Sequence, residues 1–319
     1  RATSPAARTV PDDPIAGVWQ ALELAAAAVG VSVEDLLART VKLVHGTTLT
    51  TNLLINRDGA RVGLLTTRGF GDTMLIMRAK GRVAGLSLAE RRHYRTTDKP
   101  EPIVDHPLIA EVAERADYKG AVLVPLDDAD AGRSIRRLLE CGAESFAVCL
   151  LWSFKNPAHE RRLKALLGRM APGAHVSCSS ELSPLIGEYE RSATAVLNAY
   201  VAPRVEGYLR ALRTDLGARG LGVAPLILQS HGGAAHPDEV IPIQTVESGP
   251  AAGIVGAKFL GDLLGLPNVI ATDVGGTTFK VGLIRDGEWF YAGETVLGQY
   301  EVQIPMVDVI SIGAGGGSL

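Results

Sequence analysis

The sequence predicts an α/β fold, with mixed sheets that are largely buried and flanked by helices. Two observations carry this. Strand-like and helix-like segments alternate along nearly the whole chain. The 319 residues are 46% hydrophobic and 21% charged, an ordinary globular make-up long enough for about two domains. Repeats of short period and low-complexity linkers are not visible in the sequence.

In chain order, Asp12-Asp13-Pro14 starts a helix with acids and then proline, and Gly30 ends it. KLVHG (42–46) reads as a short buried strand leading into a helix, TTLTTNLLINR, closed by Asp58-Gly59. RVGLLTT (61–67), GAVLVPLD (120–127) and SFAVCLLWSF (145–154) are further strands, and 128–141 between the last two is a helix. Asn156-Pro157, with Glu160 in the first turn, opens another. A helical stretch from about 185 to 219 contains Pro203, so two helices or one kinked helix are expected. PLILQSHGG is a strand entering a glycine turn, and GPAAGIVGAKFLGDLLG is a helix rich in small residues. PNVI (267–270) begins a β-favouring run and FKVGLI is a second strand, so Asp273-Val274-Gly275-Gly276-Thr277-Thr278 reads as a tight link between two antiparallel strands, and Arg285-Asp286-Gly287 turns the chain into a third, EWFYAG.

Composition narrows the function classes. A formal net charge of −3 without a dense Lys/Arg run argues against nucleic acid as the main partner. The longest clearly apolar run, 146–152, falls far short of the ~20 residues that span a bilayer. Cys141, Cys149 and Cys178 lack metal-type pairing and read as reduced thiols of a cytoplasmic protein. Arg1 is not an initiator methionine and Leu319 follows GAGGGS, so a fragment, incomplete at both ends, is expected.

The link from Asp273 through Gly275, Gly276, Thr277 and Thr278 carries more donors than a turn needs. Glycines let backbone amides approach a phosphate, successive amides form an anion nest, and the threonines add hydroxyls. Asp273 could hold Mg²⁺, directly or through water. A glycine-rich hairpin without a ligand is the plain alternative. The order of small-residue helix, strand, Asp-Val-Gly-Gly-Thr-Thr link and strand meander resembles the phosphate-binding start of an actin-like ATPase (ribonuclease H-like) lobe. Gly249, Ala251, Ala252, Gly253 and Gly256 suit close packing of that helix against a counterpart. His45-Gly46-Thr47-Thr48 ends a strand and opens a helix, where amides and two hydroxyls suit a phosphate or carbonyl oxygen. His45 could move a proton or could be a satisfied structural histidine. The cluster Arg78-Ala79-Lys80-Gly81-Arg82 reads as a solvated basic face rather than an anion-binding loop. His93, His106, His159, His175 and His236 are scattered and carry no assigned chemistry.

HGTTLTTN (45–52), KNPAHERR (155–162), YERSATAVLNAYV (189–201), QSHGG (229–233), ESGPAAG (247–253), DVGGTT and VDVISIGAGGGS (307–318) occur in the order found in the hydantoinase A / 5-oxoprolinase family, which the chain resembles throughout. The resemblance implies an ATP- and Mg²⁺-dependent enzyme that opens cyclic amides by phosphorylating an amide or carboxyl oxygen. Ketone carboxylase subunits in the same family give an alternative, and a noncatalytic scaffold subunit is a second. It also implies a hydantoinase B-like partner subunit. Residues 1–246 would belong to an N-terminal lobe whose first phosphate hairpin precedes Arg1, and 247–319 would begin the second, ATP-binding lobe. In this reading Gly249, Gly253, Asp273 and 275–278 bind the nucleotide, while His45, Thr47 and Thr48 serve the chemistry. Relatives usually carry Asn at His231, and the histidine resembles the carboxylase branch. They usually carry Asp at Lys280. That lysine could replace a cation beside the phosphates, mark a lobe that binds without hydrolysing, or point to solvent from an edge strand.

Overall fold

A computed structural model describes residues 14–93, 95–275, 279–312 and 316. The chain opens with α1 (Pro14–Val29), which Gly30 ends in a left-handed conformation (φ +74°), and α2 (Val33–Ala38). The Ser32 hydroxyl caps α2 by accepting from the Asp35 amide at 3.0 Å. The expected strand at 42–46 is only the pair Val44–His45 (β1), and α3 (Leu49–Asn56) follows. α3 stops at a left-handed Arg57, before the Asp58-Gly59 stop expected from sequence.

A parallel α/β unit follows: β2 (Val62–Thr67), α4 (Thr73–Ile76), α5 (Leu88–Arg91) and β3 (Ile109–Val112). β4 (Arg115–Ala116) and β5 (Val122–Val124) form a separate two-stranded ribbon. The unit closes with α6 (Asp128–Glu140), β6 (Ser145–Cys149), α7 (Ala158–Met170), β7 (Val176–Cys178), α8 (Ser179–Leu182) and α9 (Glu188–Ala218). Its four strands run parallel in the order β3-β2-β6-β7. Every residue of β2 and β6 is buried, which matches their unbroken apolar runs and a sheet covered on both faces. The GAVLVPLD segment lies outside this sheet, and the side chains of β5 are exposed.

Of the two forms expected around Pro203, α9 takes that of a single helix. It runs unbroken for 31 residues through Pro203. An interior proline costs about 3 kcal/mol, but from Tyr189 to Ala202 all but Glu190 of this helix is buried, and that packing outweighs the lost bond. The chain then forms β8 (Leu226–Leu228), parallel to β1 and antiparallel to β9 (Ala234–Ala235), and enters α10 (Ser248–Leu264). β10 (Val269–Val274) and β11 (Phe279–Arg285) pair antiparallel, with Asp273 opposite Lys280 and Val274 opposite Phe279. The expected antiparallel strands are therefore present, with Asp273 and Val274 in the first strand rather than in the link, and Gly276, Thr277 and Thr278 lie outside the described residues. Asp286 and Gly287 (φ +54° and +79°) make the two-residue turn into β12 (Glu288–Trp289). β13 (Thr295–Leu297) and β14 (Tyr300–Val302) form a ribbon over α9, and β15 (Val309–Ile312) returns to pair with the free side of β11.

The large core holds β2, β6 and α9, together with Tyr300, Val302 and Ile304 from near the end of the chain. A small second core of Ala251, Ile254, Ile284 and Val307 joins α10 to its sheet. Among the described residues no helix is long and apolar enough to cross a membrane. Among the described residues nothing packs against the small residues of α10 expected to face a counterpart helix: a Cβ at Gly249, Gly253 or Gly256 would meet nothing within 4 Å. The close approach is made by Gly282 instead. A Cβ on it would lie 1.9 Å from Ile254 Cδ1, so the glycine lets α10 settle on β11. We expect Gly282→Ala to destabilise the protein by about 1–3 kcal/mol through overpacking, and Ile254→Val to restore part of the loss. Thermal unfolding of the single and double variants checks this, and an unchanged midpoint in Gly282→Ala would contradict it.

Candidate functional site

Two helix N-termini, those of α3 and α10, lie side by side. HGTT leads into the first: Thr47 Oγ1 accepts from the Leu49 amide (3.1 Å), while Thr48 stands exposed at the N-cap with no side-chain cap bond. Ser248 at the start of α10 donates from its hydroxyl to the Thr47 carbonyl at 3.3 Å. Beneath them Thr50 and Thr245 are buried and share a hydrogen bond of 2.5 Å between hydroxyls. Both threonines of HGTT thus sit just past the end of a strand, outside the core, as their sequence position predicts.

Glu247 joins the two helices. It precedes α10 in a left-handed conformation (φ +50°), and its carboxylate makes no cap bond to the helix. Oε1 accepts from Thr51 Oγ1 of α3 (3.4 Å), and the same hydroxyl accepts from the Glu247 amide (3.3 Å). Oε2 receives Lys280 Nζ at 3.0 Å. Lys280 therefore does not point to solvent from an edge strand. β11 is paired on both sides, to β10 and to β15, and the lysine side chain is only 20% exposed. Glu247 was missed from sequence although it opens the ESGPAAG motif, because it is 33 residues from Lys280 and nothing local pairs them.

Lys280, Asp273 and Gly282 share the sheet face under α10, where they line a small cleft of about 50 Å³ with Pro250 and Gly253. Gly253 leaves the wall of α10 open, and Gly249, one turn earlier, is likewise unobstructed. The Gly275 carbonyl accepts from the Gly316 amide (2.9 Å), so the two glycine-rich segments meet beside the cleft. Among the described residues no group of three or more His, Cys, Asp or Glu could hold a metal. Asp273 alone is compatible with Mg²⁺ only where phosphate oxygens and water complete the shell, the usual arrangement for that ion.

His45 faces away from this cleft, towards α9. Its Nε2 is hydrogen bonded to the Tyr208 hydroxyl at 2.8 Å. Burial lowers the imidazole to about 4, so it is neutral at pH 7. Burial also pushes Tyr208 up to about 12, against the pull of a hydrogen bond with Thr47. His231 Nδ1 accepts from the Gly233 amide at 3.2 Å, within the turn where Gly232 has φ +85°. The basic cluster is not a free anion site: Arg78 pairs with Glu190 (2.5 Å) and Lys80 with Glu301 (3.2 Å). His159 and His175 are likewise held by Glu114 and Glu206.

The sign of the His45 shift gives a pH dependence. Between pH 6.5 and about 4 the unfolded chain takes up a proton that the folded chain refuses. Stability present above pH 6.5 is therefore lost as pH falls towards 4, by up to about 3 kcal/mol. We expect His45→Gln, which cannot titrate, to flatten this slope in chemical denaturation series. Parallel slopes for the two proteins would contradict the buried neutral imidazole.

The family models for the hydantoinase/oxoprolinase N-terminal region and for hydantoinase/oxoprolinase match residues 3–171 and 191–319. The chain is 38% identical to the acetophenone carboxylase gamma subunit of Aromatoleum aromaticum, over 98% of this chain and 43% of that protein. It is 30% identical to the acetone carboxylase beta subunit of Xanthobacter autotrophicus, over 98% of this chain and 44% of that one. A nucleotide-free acetone carboxylase structure superposes with a TM-score of 0.88 at 30% identity, covering 97% of this chain and 44% of its own. The ATP-dependent caprolactamase of Pseudomonas jessenii gives 0.87 at 29%, covering 98% and 44%. The chain thus spans less than half the length of these relatives, and it belongs to the hydantoinase/oxoprolinase family.

Proposed function

We propose that the chain is the nucleotide-binding part of an enzyme that activates a small carbonyl compound by ATP-dependent phosphoryl transfer, in the manner of ketone carboxylases. The observation that carries this is the junction of two helix N-termini with Lys280 held over an open, glycine-walled cleft by Glu247. Identity of 38% to a ketone carboxylase subunit, against 30% to the caprolactamase alpha subunit, favours the carboxylase reading, as does His231 in SHGG. A second reading, opening of a cyclic amide, rests on the superposition with the caprolactamase. In either case the fold is read as actin-like. An N-terminal lobe over 1–246 meets a second lobe that starts at 247, which the separate core around Ile254 and Ile284 supports.

When bound, ATP supplies the phosphoryl group that turns a carbonyl oxygen into a leaving group. The chain's own residues position and neutralise. Lys280 contributes a fixed positive charge. Thr47, Thr48 and the free amides of α3 and α10 contribute hydrogen-bond donors. Asp273 contributes one ligand for Mg²⁺. His45, neutral and tied to Tyr208, accepts a proton only if that hydroxyl releases it. A hydantoinase B-like subunit would supply the remaining chemistry.

The test uses the full-length protein with its partner subunit. We expect ATP turnover that depends on bicarbonate and a ketone; stimulation by a cyclic amide without bicarbonate would select the second reading, and no turnover with either would overturn both. Lys280→Asp should change nucleotide affinity by about ten- to a hundredfold, the value of a charge-assisted hydrogen bond, and alter the Mg²⁺ and K⁺ dependence. Superimposable titrations for wild type and variant would remove Lys280 from the site.

A further inference from the structure

The four-stranded parallel sheet carries a second cleft, independent of the α3–α10 junction. In the order β3-β2-β6-β7 the chain leaves β2 to build β3 on one side, then crosses back to lay β6 on the other. The order therefore reverses between β2 and β6. α4, which follows β2, packs with α9, whereas α7, which follows β6, packs with α6. The two connections diverge, and such a reversal opens a crevice at the carboxyl ends of the strands, where α/β sheets hold their ligands.

A cleft of about 210 Å³ lies at that point, lined by Phe70 after β2, Arg115 after β3, Trp152 and Phe154 after β6, and Arg191 of α9. Its chemistry is specific. The Arg115 guanidinium sits over the Phe70 ring (5.4 Å to the centroid), and among the described residues it has no hydrogen-bond or ion-pair partner. Arg191 is 1% exposed. Its terminal nitrogens donate to Ser153 (2.5 Å), Ser179 (2.7 Å) and the Leu150 carbonyl (2.9 Å), its Nε finds no acceptor, and its guanidinium lies 5.3 Å from the Phe154 centroid. Trp152 and Phe154 stack at a tilt, 5.6 Å apart, and Trp152 is held at φ +58°, a strained conformation for an aromatic residue. The Leu151 amide beside it is anchored to Thr67 Oγ1 at 3.0 Å. Glu188 stands exposed at the mouth, within electrostatic reach of Arg78.

We propose that this cleft binds a small carboxylate with a flat apolar body. Arg115 takes the carboxylate in a forked pair, the rings of Phe70, Trp152 and Phe154 enclose the body, and Arg191 forms a rigid cationic floor.

Benzoate and its neutral isostere benzamide test this on the full-length protein, by calorimetry and by the fluorescence of Trp152. Benzoate is expected to bind saturably and at least about tenfold more tightly than benzamide, with Arg115→Gln reducing it to the benzamide level. Trp152→Phe should abolish the fluorescence change while calorimetric binding persists. Absence of saturable benzoate binding, equal affinity for the two compounds, or binding that responds to Lys280→Asp and not to Arg115→Gln would each overturn the proposal. If Arg115→Gln fails to fold, the ratio of benzoate to benzamide affinity decides.

Discussion

The carboxylate of Glu247 is the contact on which the arrangement of the cleft depends. One oxygen is bonded from Thr51 on α3 and the other takes the Lys280 ammonium from β11, so one side chain ties α3 to the antiparallel sheet. It can do so because it is not used as a helix cap and because its backbone is left-handed. A non-glycine residue in that conformation costs on the order of 1–3 kcal/mol and persists only where its surroundings over-determine it. Here the Thr51 hydroxyl takes its amide, and Ser248, the next residue, donates its hydroxyl to the Thr47 carbonyl. A partly shielded ion pair of this kind is worth little as a source of stability. Its effect is geometric: it fixes where the positive charge stands relative to the two helix N-termini.

The same contact explains how the open wall of α10 can coexist with a defined position for that helix. Glycines at 249, 253 and 256 give α10 no side chains on one face, so packing there cannot orient it. Orientation comes from the opposite face, where Ile254 meets Gly282, and from the first turn, where Glu247 and Ser248 engage α3. The small residues therefore leave that face of α10 uncovered among the described residues.

Much of this was legible in the sequence. Residues with strong local signals behaved as read: Gly30 and the Asp286-Gly287 turn adopt positive φ, and SFAVC is a fully buried strand. The antiparallel pairing of β10 with β11 followed from the two β runs around the link, although Asp273 and Val274 proved to belong to the strand. What stayed open or failed depended on distant partners. Pro203 left α9 as one helix rather than two, a choice the sequence had left open, because the core around Tyr189–Ala202 overrides a local penalty. GAVLVPLD had a strand's composition but joined a peripheral ribbon, since strand propensity does not choose the partner. The surface reading of Lys280 failed because β15, nearly 30 residues later, covers what would otherwise be an edge.

The central claim is that Glu247 and Lys280 act as one unit. A double-mutant cycle with Glu247→Gln and Lys280→Met, followed by chemical denaturation of the full-length protein, measures it directly. The account predicts that the two substitutions are coupled by about 0.5–1.5 kcal/mol, as for contacting residues in one partly buried network. Additivity within about 0.3 kcal/mol would mean that the lysine is held by something else, and would contradict the account.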